Sequence, residues 1–455
     1  MSKPSNHSGL SRRSLLGAAA MLPLIASPII RRAFAQAAEM PPVLFVHGNG
    51  DSAALWQTQI WRMESNGVPR DRLAAINFTD PLSRTDDTVP QANRSSTEDQ
   101  LRELSEAIAA LRQRTGAAKV ALVASSRGGN PVRLYIKTGG TDVSHAVLGG
   151  TPNHGVYAWD DGLNGEFNGR GPFLQKLNAG ATEATPGTAF LTLRSDGLDK
   201  YAQPDGRFAG KPGTPTNVTF EGPALTGATN LVLGALDHRE VAFHPRAFRE
   251  IFKFIAGREP MQIEIRPEAE VMLSGLVTGT PGGVQTNRPV ADAQVEVFRV
   301  GGDGARAGEP VYNGKTAADG RWGPAKVDPA WPLEIVLTQA SAPTTHMYRS
   351  PFPRSSDVVN LRAARPFGPA DKDAGAVVLF SRPRGYFGLP RDVVLFDGKE
   401  PTDVKAGVPT DSISTLRLPA SEVGRPVVGI FNAERVVARA WPASENRISI
   451  AELTY

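Results

Sequence analysis

Val120-Ala121-Leu122-Val123-Ala124-Ser125-Ser126-Arg127-Gly128-Gly129 is the stretch on which the fold of the first half turns. Val120–Val123 is continuously apolar, as a strand buried on both faces is. A helix carrying Val132, Leu134 and Tyr135 is predicted directly after it. A serine at a sharp strand-to-helix turn is held in a strained backbone conformation with its side chain exposed. The residues two before and two after it must be small, because strand and backbone crowd there. Ser126 has Ala124 and Gly128 at those places, whereas Ser125 would have Val123 and Arg127, which clash. Ser126 is therefore the candidate nucleophile.

Outward from this turn, residues 40–257 alternate short β runs with helices. Val43–Val46 is a second buried strand, and Phe190–Leu193 and Leu231–Leu233 follow later. Ser95-Ser96-Thr97-Glu98 fits a capping box and starts a helix with Leu101, Leu104, Ile108 and Leu111 on one face. Such alternation predicts an α/β fold, a doubly wound and mostly parallel sheet with helices on both faces.

The strand–Ala-x-Ser-x-Gly–helix turn resembles the nucleophile elbow of the α/β-hydrolase superfamily, and bacterial lipases share the Ala variant. Strand Val43–Val46 runs into His47-Gly48-Asn49-Gly50, which resembles the oxyanion turn of lipases and esterases of that fold. The resemblance spans roughly 40–257 and implies a secreted serine ester hydrolase that uses no metal or organic cofactor. It implies Asn49 and Arg127 as the residues whose backbone N–H groups meet the substrate oxyanion. It also implies a catalytic histidine that comes last in the chain order Ser, Asp, His.

Seven histidines are available: His7, His47, His145, His154, His238, His244 and His346. His47 precedes the nucleophile and reads as structural. His145 lies before a strand, at the sheet edge opposite the site, and His154 lies in a loop that borders the site in lipases. His238 follows the last strand and precedes the last helix of this half, so chain order selects it; His244, next to Pro245, is the alternative. The acid should follow Phe190–Leu193, where Asp196 and Asp199 both stand. The Gln203-Pro204 pair after Asp199 matches the spacing of several lipases; one extra residue in the segment keeps Asp196 open. Asp237 is adjacent to His238, and adjacent side chains rarely face each other.

The rest of the chain bounds these readings. At 455 residues, two or three domains are expected. Hydrophobic residues make up 40% and charged ones 21%, which excludes a disordered chain. Without cysteine there is no disulfide, thiolate nucleophile or Cys-zinc site. Residues 1–35 resemble a twin-arginine export signal: Arg12-Arg13, an apolar stretch broken by Pro23 and Pro28, and an Ala33-Phe34-Ala35 cleavage site. That implies a periplasmic or extracellular protein with no stable membrane span. The segment carries five basic residues and no acid, so its removal takes the net charge from +4 to about −1. The rest has no charge-driven affinity for nucleic acid.

After Gly257 helical periodicity fades, and Gly, Pro and alternating β-branched residues take over. Two β modules are expected, a sandwich-like one over 260–360 and another over 361–455. Leu276 through Trp322 resembles small β-sandwich modules appended to other enzymes. The aromatic residues of this half, Trp322, Trp331, Tyr348, Phe352, Phe367, Tyr386 and Phe387, are expected mostly in sandwich cores, with some free to face a lipid or polyester surface. In the first half, Tyr157, Trp159, Phe167, Phe173 and Leu174 of the Gly-rich insertion offer a lid or acyl-pocket wall. Asp160-Asp161 there reads as a solvated pair, not a calcium site. Residues 36–258 are expected to contain every catalytic group and, when folded, to hydrolyse a small soluble ester at a rate comparable to the full chain. The function expected is a lipase or carboxylesterase acting through Ser126, His238 and Asp199 on an ester or lipid substrate. The alternatives are an extracellular polyester depolymerase or an inactive binding protein on the same fold. Acyl length and oligomeric state are not legible.

Overall fold

The structure, a computed structural model, describes residues 40–455; the expected export signal and cleavage site lie outside the described residues. The first half is built on six parallel strands: β1 (Val43–Val46), β2 (Leu73–Ala75), β3 (Val120–Ser125), β4 (Val143–Gly149), β5 (Ala189–Arg194) and β6 (Thr229–Val232). Their order across the sheet is β2-β1-β3-β4-β5-β6, and every pair is parallel. The predicted last strand begins two residues earlier than its apolar run. It lies at the sheet edge, where half-exposed residues such as Val232 are tolerated.

Helices cover both faces, as a parallel sheet requires. Helices α1 (Gln57–Ser65), α5 (Glu240–Phe243) and α6 (Pro245–Ala256) pack on one face, where Ile60, Phe248 and Ile251 meet Phe45 and Val123. Helices α2 (Thr97–Thr115) and α3 (Gly129–Lys137) pack on the other, where Leu104, Ile108 and Val132 meet Leu44 and Leu122. A short helix α4 (Pro172–Asn178) sits in the Gly-rich insertion. The capping box of α2 is one residue on from its expected place. Ser96 is the N-cap and Asp99 returns the bond, because the hydroxyl and carboxylate at those positions are the ones that meet the free backbone N–H groups.

The second half is all β, and its expected division at 360/361 is bridged by strand pairing. A seven-stranded sheet pairs Thr344–Arg349 of the first segment with Arg447–Glu452 of the second, in parallel. Leu361–Arg362 turns back to pair with Val271–Thr278. Two three-stranded sheets complete cores against this long sheet, one around Val295, Trp322 and Ile335, the other around Phe380, Phe387 and Phe431.

The halves are locked together at α1. Trp61 belongs to the core of the β half and donates Nε1–H to Ser355 O at 2.8 Å. Gln59 donates to Ala242 O at 2.7 Å on the hydrolase side. A helix held between two bodies buries polar residues that a surface helix would leave in water. No described helix is long and apolar enough to cross a membrane.

Candidate active site

Four loops at the carboxyl ends of β1, β3, β5 and β6 converge, the place where an open parallel sheet forms its crevice. Ser126 follows β3 with φ 52°, a left-handed conformation that costs a residue with a Cβ and is imposed by the turn. The need for small neighbours has a direct origin. A Cβ on Gly128 would lie 2.5 Å from His47 O and 2.8 Å from Val46 O. One on Gly48 would lie 2.9 Å from Ser126 Cβ. The β1 turn and the elbow thus touch through backbone, and Ala124 is fully buried behind them.

Ser126 Oγ lies 2.9 Å from His238 Nε2. His238 Nδ1 lies 2.9 Å from both carboxylate oxygens of Asp199. With Nδ1–H donating to Asp199, Nε2 is left to accept the serine proton. Asp199 also accepts from Tyr201 N–H at 2.8 Å, which fixes its carboxylate. The edge of Tyr201 packs against the His238 ring, centroids 4.7 Å apart.

The other candidates hold different bonds. Asp196 accepts from Ala235 N–H at 2.9 Å and braces the loop before His238. Asp237 accepts from the N–H groups of Arg239 and Glu240 and from Tyr386 N–H. His244 caps α6 by accepting from Arg246 N–H. His154 bonds Gly222 O and Glu183. His145 lies within β4, not before it, and packs edge-on against Phe254. His346 pairs with Glu334 in the β half. His47 donates Nδ1–H to Gly48 O at 2.9 Å and accepts Phe78 N–H at Nε2, 3.1 Å, which fixes one neutral tautomer. Burial above all holds its pKa down to about 4.

Asn49 lines the cavity with Ser126, and its side-chain oxygen accepts from Ser83 N–H at 2.8 Å, anchoring the turn. The Arg127 side chain points into the protein, fully buried, and pairs with Glu166 at 2.6 Å. It also bonds Pro81 O and Ser95. Glu166 in turn accepts from Thr97 and Asn130. This buried network under the elbow is absent from the sequence reading; Glu166 stands alone in a Gly-rich loop, and no spacing links it to Arg127.

Ser126 and His238 open into a cavity of about 420 Å³. Of the insertion, Tyr157 and Phe167 line it; Trp159 stacks on Tyr157 at 4.4 Å, and Leu174 is buried in the protein. Asp160 and Asp161 pair with Arg170 and Lys211. Tyr386, Thr410 and Ser412 of the β half also line the cavity. The expected catalytic residues all fall within 36–258, yet the cavity wall does not.

Residues 40–165 match the family model described as lipase (class 2), and residues 269–366 match the lipase C-terminal domain. The first half thus carries a stretch similar to class 2 lipases, and the second half one similar to the lipase C-terminal domain. Similar solved structures include Aspergillus fumigatus lipase B, at 14% identity over 53% of this chain and 59% of that one, TM-score 0.37. Bacillus licheniformis lipase BlEst2 is 22% identical over 48% of this chain and 92% of its own, TM-score 0.33. Paleococcus ferrophilus monoacylglycerol lipase is 14% identical over 48% and 96%, TM-score 0.32. The chain spans about three-fifths of the length of the Aspergillus protein.

Proposed function

We propose that this chain is an exported serine ester hydrolase in which Ser126, His238 and Asp199 form the catalytic triad. The observation that carries the reading is the pair of 2.9 Å bonds linking the three side chains at the floor of a cavity. Ser126 Oγ attacks the ester carbonyl while His238 Nε2 takes its proton. The oxyanion meets the backbone N–H groups of Asn49 and Arg127, a pair of fixed donors of which each contributes about 3 kcal/mol in hydrolases of this kind. Imidazolium gives its proton to the leaving alcohol. Water then attacks the acyl-enzyme, His238 takes its proton, and the carboxylic acid departs as Ser126 is restored. Asp199 holds Nδ1–H throughout and favours the transient imidazolium.

Export by the twin-arginine route, with cleavage after Ala35, belongs to the same proposal and is supported by Arg12-Arg13 and Ala33-Phe34-Ala35. The test of the triad is hydrolysis of a 4-nitrophenyl ester by the full chain, followed by organophosphate labelling mapped by mass spectrometry. Label on Ser126 with loss of activity is the expected result. A folded protein with no turnover, or label on Ser125, overturns the assignment.

A further inference from the structure

Three charged side chains line the cavity: Asp51, Arg239 and Lys200. Asp51 and Arg239 neutralise each other in an ion pair. Lys200 is left over. Its ammonium stands 4.0 Å from the centroid of Tyr386 and 5.0 Å from that of Tyr201. Two ring faces hold it in place, and among the described residues no carboxylate or carbonyl accepts its protons. Tyr201 is the same ring that packs on His238, so the cation stands one aromatic ring from the catalytic imidazole. The hydroxyl residues Thr410 and Ser412 share the wall. A half-buried ammonium with no directly bonded anion is an unfavourable element of a free protein and a recognition element once an anion arrives.

We infer that Lys200 selects esters whose acyl or alcohol part carries a carboxylate, which it binds on the cavity wall between Tyr201, Tyr386 and the hydroxyls of the β half. The inference rests on the ester-hydrolase reading above and names its substrate class. Burial pushes both tyrosines above their ordinary range, so the rings stay neutral and Lys200 is the titrating group of this wall. Burial first, and then the nearby Arg239, lower Lys200 to about 8 against the opposing pull of Asp237, Asp411 and Asp199. The cation is therefore present at neutral pH and is lost as pH rises through about 8.

The test compares two acyl chains of equal length, mono-4-nitrophenyl adipate and 4-nitrophenyl hexanoate. Rates are taken per organophosphate-titrated active site, so that misfolded protein does not count. A second pair, the free acid of the linear 3-hydroxybutyrate dimer and its methyl ester, places the carboxylate on the alcohol side. In at least one pair the wild-type kcat/KM ratio favours the anion, and Lys200→Met lowers that ratio about tenfold. Lys200→Arg keeps it, and keeps it at pH 9.5, where the wild-type ratio has fallen. Ratios equal in wild type and Lys200→Met for both pairs overturn the inference, and Lys200→Gln serves if the Met variant does not fold. Absence of turnover of the neutral hexanoate ester by folded protein instead overturns the esterase reading itself.

Discussion

Arg382 of the β half donates Nη2–H to Glu240 Oε1 at 2.6 Å, and Glu240 stands two residues after His238. Both side chains are buried. Arg382 also reaches Asp237, at 3.3 Å, and Arg391 bonds Glu240 at 2.7 Å. The turn that carries the His238 imidazole is thus gripped on both sides by charges from another part of the chain.

Against the sequence expectation of an active 36–258 fragment, removal of the β half should therefore abolish ester hydrolysis. A 36–258 fragment leaves Asp237 and Glu240 without their cations and strips Tyr386 from the cavity. The point variant Arg382→Ala should cost about 3–5 kcal/mol, the penalty of leaving a buried partner unpaired. Thermal or urea denaturation of the full chain checks the variant. A 36–258 fragment with full activity and a normal melting transition would show that the turn holds itself.

Ser126→Ala should lower kcat about a million-fold, since triad members act as a unit. Ser125 makes no bond to His238, so Ser125→Ala should keep activity within a few-fold. Steady-state hydrolysis of 4-nitrophenyl butyrate reads both.

The two candidate acids separate cleanly. Asp199→Asn should lower kcat about 10⁴-fold, because the amide no longer favours the Nδ1–H tautomer. Asp196→Asn loses only the brace to Ala235 and should show its effect in the melting temperature. The opposite pattern would transfer the role to Asp196.

Gly48→Ala places a methyl group 2.9 Å from Ser126 Cβ. Its neighbours are Ser126 and the Ser125 backbone, neither free to move without displacing Ser126 Oγ. The expected outcome is a fall in kcat of at least a hundredfold with little loss of melting temperature, measured on the same ester.

The stability of the fold should weaken below pH 6.5. His47 has its folded pKa near 4 against an ordinary 6.5, so in that window the unfolded chain binds the proton and the native state does not. Its contribution is whole above pH 6.5 and lost as pH falls toward 4, by about 3 kcal/mol for a shift of this size. His47→Gln should flatten the slope of unfolding free energy against pH in that window; an unchanged slope would place the proton elsewhere.

Apart from β2 and helices α1, α4 and α5, the parallel sheet, its helices and the three side chains that meet in the cavity, Ser126, His238 and Asp199, were legible along the chain. Each is announced by a local pattern: an apolar run, a cap, small residues flanking one serine, an acid and a histidine after successive strands. Local backbone geometry dictates these patterns, so short windows carry them. Where windows were ambiguous, as with Asp196 and Asp199, both residues stood on one loop, and only the direction of each carboxylate separates them.

What tertiary structure decided is of another kind. Tyr386 lies 148 residues beyond His238, in a segment whose aromatic residues read as sandwich core, yet it lines the cavity. Arg127 with Glu166, Arg382 with Glu240, and Lys200 over Tyr386 are pairs with no fixed spacing. The seven-stranded sheet joins strands from two segments that read as separate modules. Side-chain pairs and strand partners across such distances are set by which surfaces meet when the chain closes, and the energy that selects them, burial and charge pairing, is a property of the assembled interface.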